Sequence, residues 1–213
     1  MTGTINAIEN NINHNIQGAI FDVDGTLLDS MSVWEDIGER YLISLGIMAK
    51  DGLGDALHTM SLEQGAVYLK EEYRLEKTVP QIVKEVLKIV SDFYRFEAPL
   101  KPGVKETLEW MSKQQIRMVV ATSGNKELVE AALDRNGILK YFETLQAKPE
   151  SIVAFEDAFH AAETAKKAGF RVIGVYDVSN EENISRMREV CDCYYDRMDE
   201  VIKYDQVASI NVV

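Results

Sequence analysis

Short apolar runs alternate along the chain with longer segments in which apolar residues recur every three or four positions. The runs contain many β-branched and aromatic residues, which is typical of strands buried on both faces of a sheet. They lie at residues 18–21, 116–121, 151–155 and 170–176, and weaker runs lie at 141–145 and 194–195. Strands that alternate with helices across short loops predict an α/β fold with a doubly wound parallel sheet.

One long segment interrupts this alternation, because residues 31–98 show helical periodicity and no strand pattern. Apolar residues between Trp34 and Leu45 fall at helical spacing. Ser61–Gln64 and Thr78–Gln81 each have the form of a capping box, which predicts two further helices. The stretch between the first helix and these boxes, residues 51–54, is predicted to be a loop.

These patterns divide the chain into three parts. Residues 18–30 and 99–213 are expected to form the α/β core, and residues 31–98 a helical domain inserted into it. Residues 1–17 are rich in asparagine and lack apolar periodicity, so we expect a flexible tail there.

The motif Asp22-Val23-Asp24-Gly25-Thr26 follows the first predicted strand. Side chains alternate along an extended backbone, so Asp22 and Asp24 are expected to point into one pocket, while Gly25 permits a sharp turn. Two neighbouring carboxylates repel each other, and a divalent cation such as Mg²⁺, which prefers oxygen ligands, removes that conflict. With such an ion bound, one acid can attack phosphorus and the other can transfer the proton of the leaving or entering oxygen.

Two other interpretations of this motif are weighed beside the first. A helix–loop–helix calcium site is disfavoured, because its glycine is sixth in the loop whereas Gly25 is fourth and follows a strand. An acidic turn without chemistry is the second alternative, although the four fixed letters arise by chance in only about one in a thousand chains of this length.

Two further polar loops follow predicted strands. Thr122-Ser123 comes after the strand at 116–121, and Glu156-Asp157 comes after the strand at 151–155. Each loop could simply cap the helix that follows it. Open α/β sheets bind ligands at the carboxyl ends of their strands, however, so these loops are expected near Asp22, with a hydroxyl and backbone amides available to a phosphate group.

The three motifs together resemble those of the haloacid dehalogenase superfamily, in its phosphatase and β-phosphoglucomutase-like branch. The similarity runs from Gly18 to about Asp199 and implies a Rossmann-like core in which residues 31–98 form a helical cap. The cap of such proteins closes over the active site and selects the substrate. The implied activity is Mg²⁺-dependent hydrolysis of a small phosphorylated metabolite through an aspartyl-phosphate intermediate.

The resemblance also assigns roles to individual residues. It implies that Asp22 is the nucleophile and that Asp24 protonates the leaving alcohol and then activates water. Thr122 and Ser123 would bind the phosphate group. The implied Mg²⁺ ligands are Asp22, Asp24 and Asp157, with Glu156 in a supporting role.

The third motif of the family, a lysine after the third core strand, is difficult to place. Only residues 146–150 separate the predicted strand at 141–145 from Ser151, whereas a parallel crossover takes about a dozen residues or more. Lys148 is therefore either the phosphate-binding lysine or part of the turn before the next strand. We expect a core shortened between its third and fourth strands, with the segment Phe142–Glu150 outside the sheet or covered by a neighbouring chain.

This shortening has two expected consequences. If Lys148 does not reach the phosphate, the rate would fall by about ten-fold to a few hundred-fold. The core would also expose an apolar face that is open to self-association.

Two rival functions follow from the same motifs. A phosphosugar mutase shares them, but relatives resembling β-phosphoglucomutase carry a histidine ten residues after the second aspartate, where this chain has Trp34. That difference favours hydrolysis. A catalytically weak binding protein is the other rival. It would be favoured if none of Lys148, Lys70 and Arg74 can supply the positive charge of the third-motif lysine.

Composition narrows the range of partners and compartments. The net charge of −12 disfavours nucleic acid, whose phosphates would be repelled. Apolar runs fall short of the roughly 18 residues that span a membrane, and residues 1–6 lack a signal-peptide pattern, so a cytoplasmic protein is expected. Cys191 and Cys193 lack partners for a thiolate metal site and are predicted to be reduced.

Overall fold

A computed structural model describes residues 16–58, 60–122, 124–142 and 151–202. Contacts divide the chain into an α/β unit and a helical unit. The α/β unit contains residues up to 29, residues 99–124 and residues from 136 onward, whereas the helical unit contains residues 30–98 and 125–135. No helix within the described ranges combines the length and apolar character needed to cross a membrane.

The α/β unit is built on a five-stranded parallel sheet, which confirms the predicted fold class. Its strands are β1 (Gly18–Phe21), β2 (Arg117–Val120), β3 (Ile152–Glu156), β4 (Arg171–Val175) and β5 (Cys193–Tyr195). Their order in the sheet is β2-β1-β3-β4-β5. Because the chain adds β2 on one side of β1 and later β3 on the other, the order reverses beside β1, where sheets of this type bind ligands.

Eight α-helices connect these strands within the described residues. They are α1 (Ser32–Ser44), α2 (Leu53–Leu57), α3 (Leu62–Glu72), α4 (Val79–Phe96), α5 (Val104–Lys113), α6 (Lys126–Arg135), α7 (Phe159–Lys167) and α8 (Ile184–Val190). The same described residues include 3-10 helices at Leu139–Tyr141 and Val178–Asn183. Residues 51–54 were predicted to be a loop, but α2 begins at Leu53, directly after Gly52 in the left-handed conformation (φ 81°).

Packing at the centre of the sheet aligns the ends of β1 and β3. Phe21 pairs with Phe155 in the parallel register, and their fully buried rings stack with centroids 4.5 Å apart. Stacked rings of this kind contribute about 0.5–1.5 kcal/mol beyond their buried area. The backbone N–H of Asp22 donates to the carbonyl of Phe155 at 3.1 Å, so the ladder extends one residue past β1. The residues that follow the two strands therefore begin at the same level.

The hydrogen-bonded ladder around β1 also begins one residue earlier than the sequence predicts, at Gln17. Gln17 was assigned to the flexible tail at 1–17, but its N–H donates to the carbonyl of Ser151 at 2.8 Å. Its carbonyl accepts from the N–H of Arg117 at 3.2 Å. Gln17 thus belongs to the sheet because its polar backbone groups are paired on both sides, and residues 1–15 of the predicted tail lie outside the described residues.

The predicted third strand at 141–145 differs from the structure at its start. Tyr141 ends the 3-10 helix Leu139–Tyr141, and Phe142 forms a single parallel bridge with Met118 of β2. The ring of Phe142 meets that of Phe21 edge-on, with centroids 6.0 Å apart. Phe142 therefore bridges to the sheet, which disagrees at this residue with the first of the two alternatives, a segment outside the sheet, and does not test the second, cover by a neighbouring chain. Residues 143–150 lie outside the described part of the chain.

The helical unit confirms both predicted capping boxes. The Ser61 hydroxyl accepts from the N–H of Gln64 and the Gln64 side chain accepts from the N–H of Ser61, at 3.3 and 2.8 Å. At the start of α4 the Gln81 side chain likewise reaches back, and it accepts from the N–H and the hydroxyl of Thr78 at 2.8 and 2.9 Å. These bonds pair helix-terminal amides that have no partner inside the helix.

Helix α6 belongs to the helical unit, although the sequence assigned residues 99–213 to the α/β core. It packs against α4 and buries Val129, Ala132 and Leu133. At its end the Arg135 guanidinium donates to the carbonyl of Ala98. The difference arises because α6 shares its apolar face with a helix about forty residues earlier, which local periodicity cannot reveal.

Candidate active site

Three carboxyl groups meet where β1 and β3 end. Asp22, Glu156 and Asp157 each place one carboxylate oxygen so that the three oxygens lie within 4.8 Å of one another. Asp22 follows β1, Glu156 is the last residue of β3, and Asp157 comes next. Because β1 and β3 are neighbours in register, the acids that follow them are brought to one point of the sheet edge.

A tight turn after β1 supports this cluster. The N–H of Gly25 donates to the carbonyl of Leu28 at 2.9 Å, and the N–H of Leu28 donates to the carbonyl of Val23 at 2.8 Å. Gly25 adopts a positive φ of 84° in this turn. The turn buries Thr26 completely, and its hydroxyl donates to Asp157 Oδ1 at 3.3 Å.

Asp24 lies in this turn rather than on β1 itself. The predicted ligand set was Asp22, Asp24 and Asp157, but among the described residues the three-acid cluster contains Glu156 and not Asp24. Asp24 instead forms an isolated bridge with Leu28 in this turn, and its charge still contributes to raising the pKa of Asp22. The roles of Asp24 as ligand and acid–base group stay predictions.

Crowding and burial disfavour full ionisation of the cluster. Burial, followed by the charges of Asp157 and Asp24, raises the pKa of Asp22 to about 7. Burial and the charges of Asp22 and Asp157 raise the pKa of Glu156 to about 8. Burial and the charge of Asp177 raise the pKa of Asp157 to about 6. Without a cation the cluster is therefore partly protonated near neutral pH, and a bound cation would favour the ionised carboxylates.

The donor set fits Mg²⁺. All three groups are carboxylates, and this ion is bound in proteins by hard oxygen ligands, often one or two carboxylates with water and substrate phosphate. Asp22, Glu156 and Asp157 are the described residues that would hold it.

A buried ion pair lies beside Asp157 and was missed by the sequence reasoning. Lys101 Nζ lies 2.6 Å from Asp177 Oδ2, and their side chains are only 10% and 2% exposed. Burial alone would raise the pKa of Asp177, but hydrogen bonds from Lys101 and Ser179 outweigh it and hold that pKa below its usual value. Asp177 comes two residues after the end of β4, so the argument from strand ends could have found it. No local signal marks Lys101.

The predicted phosphate-binding loop follows β2. The N–H of Ala121 donates to the carbonyl of Phe21 at 2.9 Å, so Thr122 lies at the sheet edge next to the end of β1. The Thr122 hydroxyl accepts from the N–H of Gly124 at 2.9 Å. Asn125, not Thr122, caps α6, because its side chain accepts from the N–H groups of Glu127 and Leu128.

The other residues that the sequence proposed for phosphate binding are placed differently. Ser123 and Lys148, both predicted to bind phosphate, lie outside the described residues. Lys70, named as a substitute for Lys148, donates to the carbonyls of Leu75 and Lys77 at 3.1 and 2.6 Å. Its ammonium group therefore holds the chain that leaves α3.

The family of the chain follows from comparison with known proteins. A family model described as haloacid dehalogenase-like hydrolase matches residues 19–147, which is more than half of the chain. The chain therefore belongs to the haloacid dehalogenase-like hydrolase family and is an enzyme of that family, as its motifs predict.

Individual relatives are more distant. The chain is 25% identical over 190 residues to the phosphorylated carbohydrates phosphatase of Thermotoga maritima, covering 78% of this chain and 88% of that protein. It is 29% identical over 158 residues to a phosphoglycolate phosphatase of Agrobacterium fabrum, covering 71% and 66%. A Thermotoga maritima crystal structure provisionally named β-phosphoglucomutase superposes with a TM-score of 0.75 at 22% identity, covering 92% of this chain and all of its own. The last similarity supports the fold alone.

Proposed function

We propose that this protein is a Mg²⁺-dependent phosphohydrolase that acts on a small phosphorylated, carbohydrate-like metabolite through an aspartyl-phosphate at Asp22. The observation that carries the proposal is the convergence of Asp22, Glu156 and Asp157 at the point where the strand order reverses. Ligands of doubly wound sheets bind at this point. Three carboxylates at this point can bind a cation, and the cation in turn attracts the phosphate group.

The role of the chain's own residues follows from this arrangement. When bound, Mg²⁺ would neutralise charge on the phosphate and allow an anionic nucleophile to approach it. A carboxylate oxygen of Asp22 attacks phosphorus while the bond to the substrate alkoxide breaks, and Asp24 gives its proton to that alkoxide. Asp24 then takes a proton from water as the water attacks phosphorus, which releases inorganic phosphate and the free Asp22 carboxylate.

The remaining predicted contacts are retained as proposals. Thr122 and Ser123 bind the phosphate oxygens, with Thr122 next to the end of β1 as support. Lys148 either completes this phosphate site or leaves the enzyme slower by about ten-fold to a few hundred-fold. Residues 31–98 act as the cap that selects the substrate.

The substrate class is supported by two independent considerations. The relatives described above include phosphatases named for phosphorylated carbohydrates and for phosphoglycolate, which are small phosphate esters. The net charge of −12 makes an anionic macromolecule an unfavourable partner, whereas a single phosphate group can be accommodated by a local cation.

A phosphosugar mutase is the second candidate, because it shares the core motifs at Asp22, Thr122 and Asp157. One similar crystal structure carries the provisional name β-phosphoglucomutase. Its likeness at 22% identity supports the fold and not the reaction. Trp34, 44% exposed at the start of α1, stands where mutase relatives are expected to carry a histidine. Indole cannot exchange a proton at that position, and this favours hydrolysis.

The test compares hydrolysis of an aryl phosphate by the wild type, Asp22→Asn and Asp134→Asn, with and without Mg²⁺. Asp134 is an exposed aspartate of α6 and controls for the loss of one charge. We expect turnover that requires Mg²⁺, is abolished by Asp22→Asn and is unchanged by Asp134→Asn. Turnover that survives in Asp22→Asn would refute the nucleophile. Folded wild-type protein without turnover would favour the binding-protein alternative.

A further inference from the structure

The loop that follows β4 approaches the acidic cluster through one amide group. Asn180 Nδ2 donates a hydrogen bond of 2.8 Å to Asp157 Oδ2. Asn180 lies within the 3-10 segment Val178–Asn183, but its backbone departs from helical geometry (φ −114°, ψ 17°). Asn180, where the backbone departs from helical geometry, is also the residue whose side chain contacts Asp157.

With the hydrogen bond from Asn180, each oxygen of the Asp157 carboxylate accepts a hydrogen bond. Thr26 Oγ1 donates to Oδ1 at 3.3 Å, and Asn180 Nδ2 donates to Oδ2 at 2.8 Å. Asp157 is only 5% exposed, so these donors replace much of the water that a carboxylate would otherwise bind. With one donor on each oxygen, the carboxylate is held in one orientation and still has lone pairs for a cation.

The start of the same loop is fixed by the buried ion pair. Asp177 Oδ1 accepts from the N–H and the hydroxyl of Ser179 at 2.9 and 2.6 Å, while Oδ2 lies 2.6 Å from Lys101 Nζ. Lys101 also donates to the carbonyl of Tyr176 at 2.5 Å. A buried ion pair is favourable only when its remaining polar atoms are satisfied, as they are here. The loop is therefore fixed one, three and four residues before Asn180, at Ser179, Asp177 and Tyr176.

We propose that Asn180 is a positioning residue for the cation, acting through Asp157, and that the Lys101–Asp177 pair holds the loop that presents it. The inference rests on the proposed metal site and adds to it three residues that no motif identifies. Groups that hydrogen-bond to metal ligands fix the ligand's orientation, and their loss typically lowers metal affinity or activity by about 10- to 100-fold.

The first experiment measures Mg²⁺ binding directly, by isothermal titration calorimetry of the full chain, for Asn180→Ala and Asn180→Leu. Leucine keeps the branched outline of asparagine, although it is bulkier, and cannot donate a hydrogen bond. Asn183→Ala is the matched control, because Asn183 lies in the same segment and its side chain contacts Glu182 and Arg186 instead. We expect Mg²⁺ to bind about 10-fold more weakly to both Asn180 variants and unchanged to the control.

Two further readouts separate positioning from a purely structural role. Urea unfolding in EDTA is expected to show that Asn180→Ala stays folded, with a somewhat lower stability than Asn183→Ala because buried Asp157 Oδ2 loses a donor. The Mg²⁺ concentration for half-maximal hydrolysis should rise by the same factor as the dissociation constant, while KM for the aryl phosphate at saturating Mg²⁺ stays constant. Unchanged Mg²⁺ binding in Asn180→Ala would overturn this inference alone. A wild type that binds no Mg²⁺ would overturn both this inference and the proposed metal site.

The second experiment tests the link to the ion pair. The double variant Lys101→Met/Asp177→Leu removes both charges, so neither is left buried without its partner. We expect its Mg²⁺ affinity to fall by about the same 10-fold, with little further loss on adding Asn180→Ala, because the two changes break the same support. If the losses of Mg²⁺ affinity in the double variant and in Asn180→Ala multiply when the changes are combined, the changes act independently. That result would overturn the claim that the pair acts through Asn180.

Discussion

Gly25 is the position where a single methyl group should disturb the site most. The backbone at Gly25 has a φ of +84°, and a Cβ atom built there would lie 2.5 Å from Asp157 Oδ2 and 2.8 Å from Asp157 Cγ. Gly25→Ala therefore combines two effects, which are backbone strain and a collision with a carboxylate of the acidic cluster. Gly137 separates them, because its φ is +73° and nothing lies within 4 Å of its Cβ position.

The size of each effect can be worked from these distances. An alanine in the left-handed region costs about 1–2 kcal/mol, and this cost should appear in both variants. In Gly25→Ala the Asp157 carboxylate must also retreat by about 0.9 Å, from 2.5 Å to the 3.4 Å at which ordinary contact begins. A displacement near 1 Å can lower a rate by about 100-fold, equivalent to about 2.7 kcal/mol of transition-state stabilisation.

The assay pairs urea unfolding in EDTA with Mg²⁺-dependent hydrolysis of an aryl phosphate. We expect both variants to lose the stability that backbone strain costs, and Gly25→Ala to lose more because buried Asp157 must move. Only Gly25→Ala should lose about 100-fold in kcat/KM and bind Mg²⁺ more weakly. Equal activity in the two variants would refute the reasoning, since it would show that the Asp157 carboxylate can move without consequence.

Two further predictions concern stability. In EDTA, the free energy of unfolding should fall as the pH rises from about 5 to about 8. The pKa values of Asp22, Glu156 and Asp157 are raised from 3.8–4.5 to about 6–8 in the folded chain. Over this range the folded chain therefore holds protons that the unfolded chain has released. Added Mg²⁺ or Glu156→Gln should reduce this decline in urea titrations, and a rise in stability across the window would contradict the assignment. Ser61→Ala removes the cap of α3 and should cost about 1 kcal/mol by the same method, so an unchanged unfolding midpoint would count against the capping box.

The sequence alone predicted those features whose causes lie within a few residues. The apolar run at 18–21 followed by Asp22 predicted both β1 and the first acid of the site, because burial pattern and motif are contiguous. The capping boxes at Ser61 and Thr78 were predicted correctly, since each depends on a residue three positions away. The parallel sheet followed from the alternation of strands and helices.

Other features depended on which distant segments become neighbours. Helix α6 groups with the helical unit, whereas the sequence placed it with the core, because its partner α4 could not be recognised from periodicity. Glu156 joins Asp22 and Asp157 because β1 and β3 pair in register, whereas Asp24 lies in the turn at Gly25.

The surroundings of Asp157 illustrate the physical limit most clearly. Lys101 reaches Asp177 across 76 positions of sequence, and Asn180 reaches Asp157 across 23. Local patterns record how a residue folds with its near neighbours, but these contacts exist only after the sheet has brought the ends of β1, β3 and β4 to one edge. The sequence by itself therefore determined the chemistry available to this protein, and the tertiary structure decided which groups hold that chemistry in position.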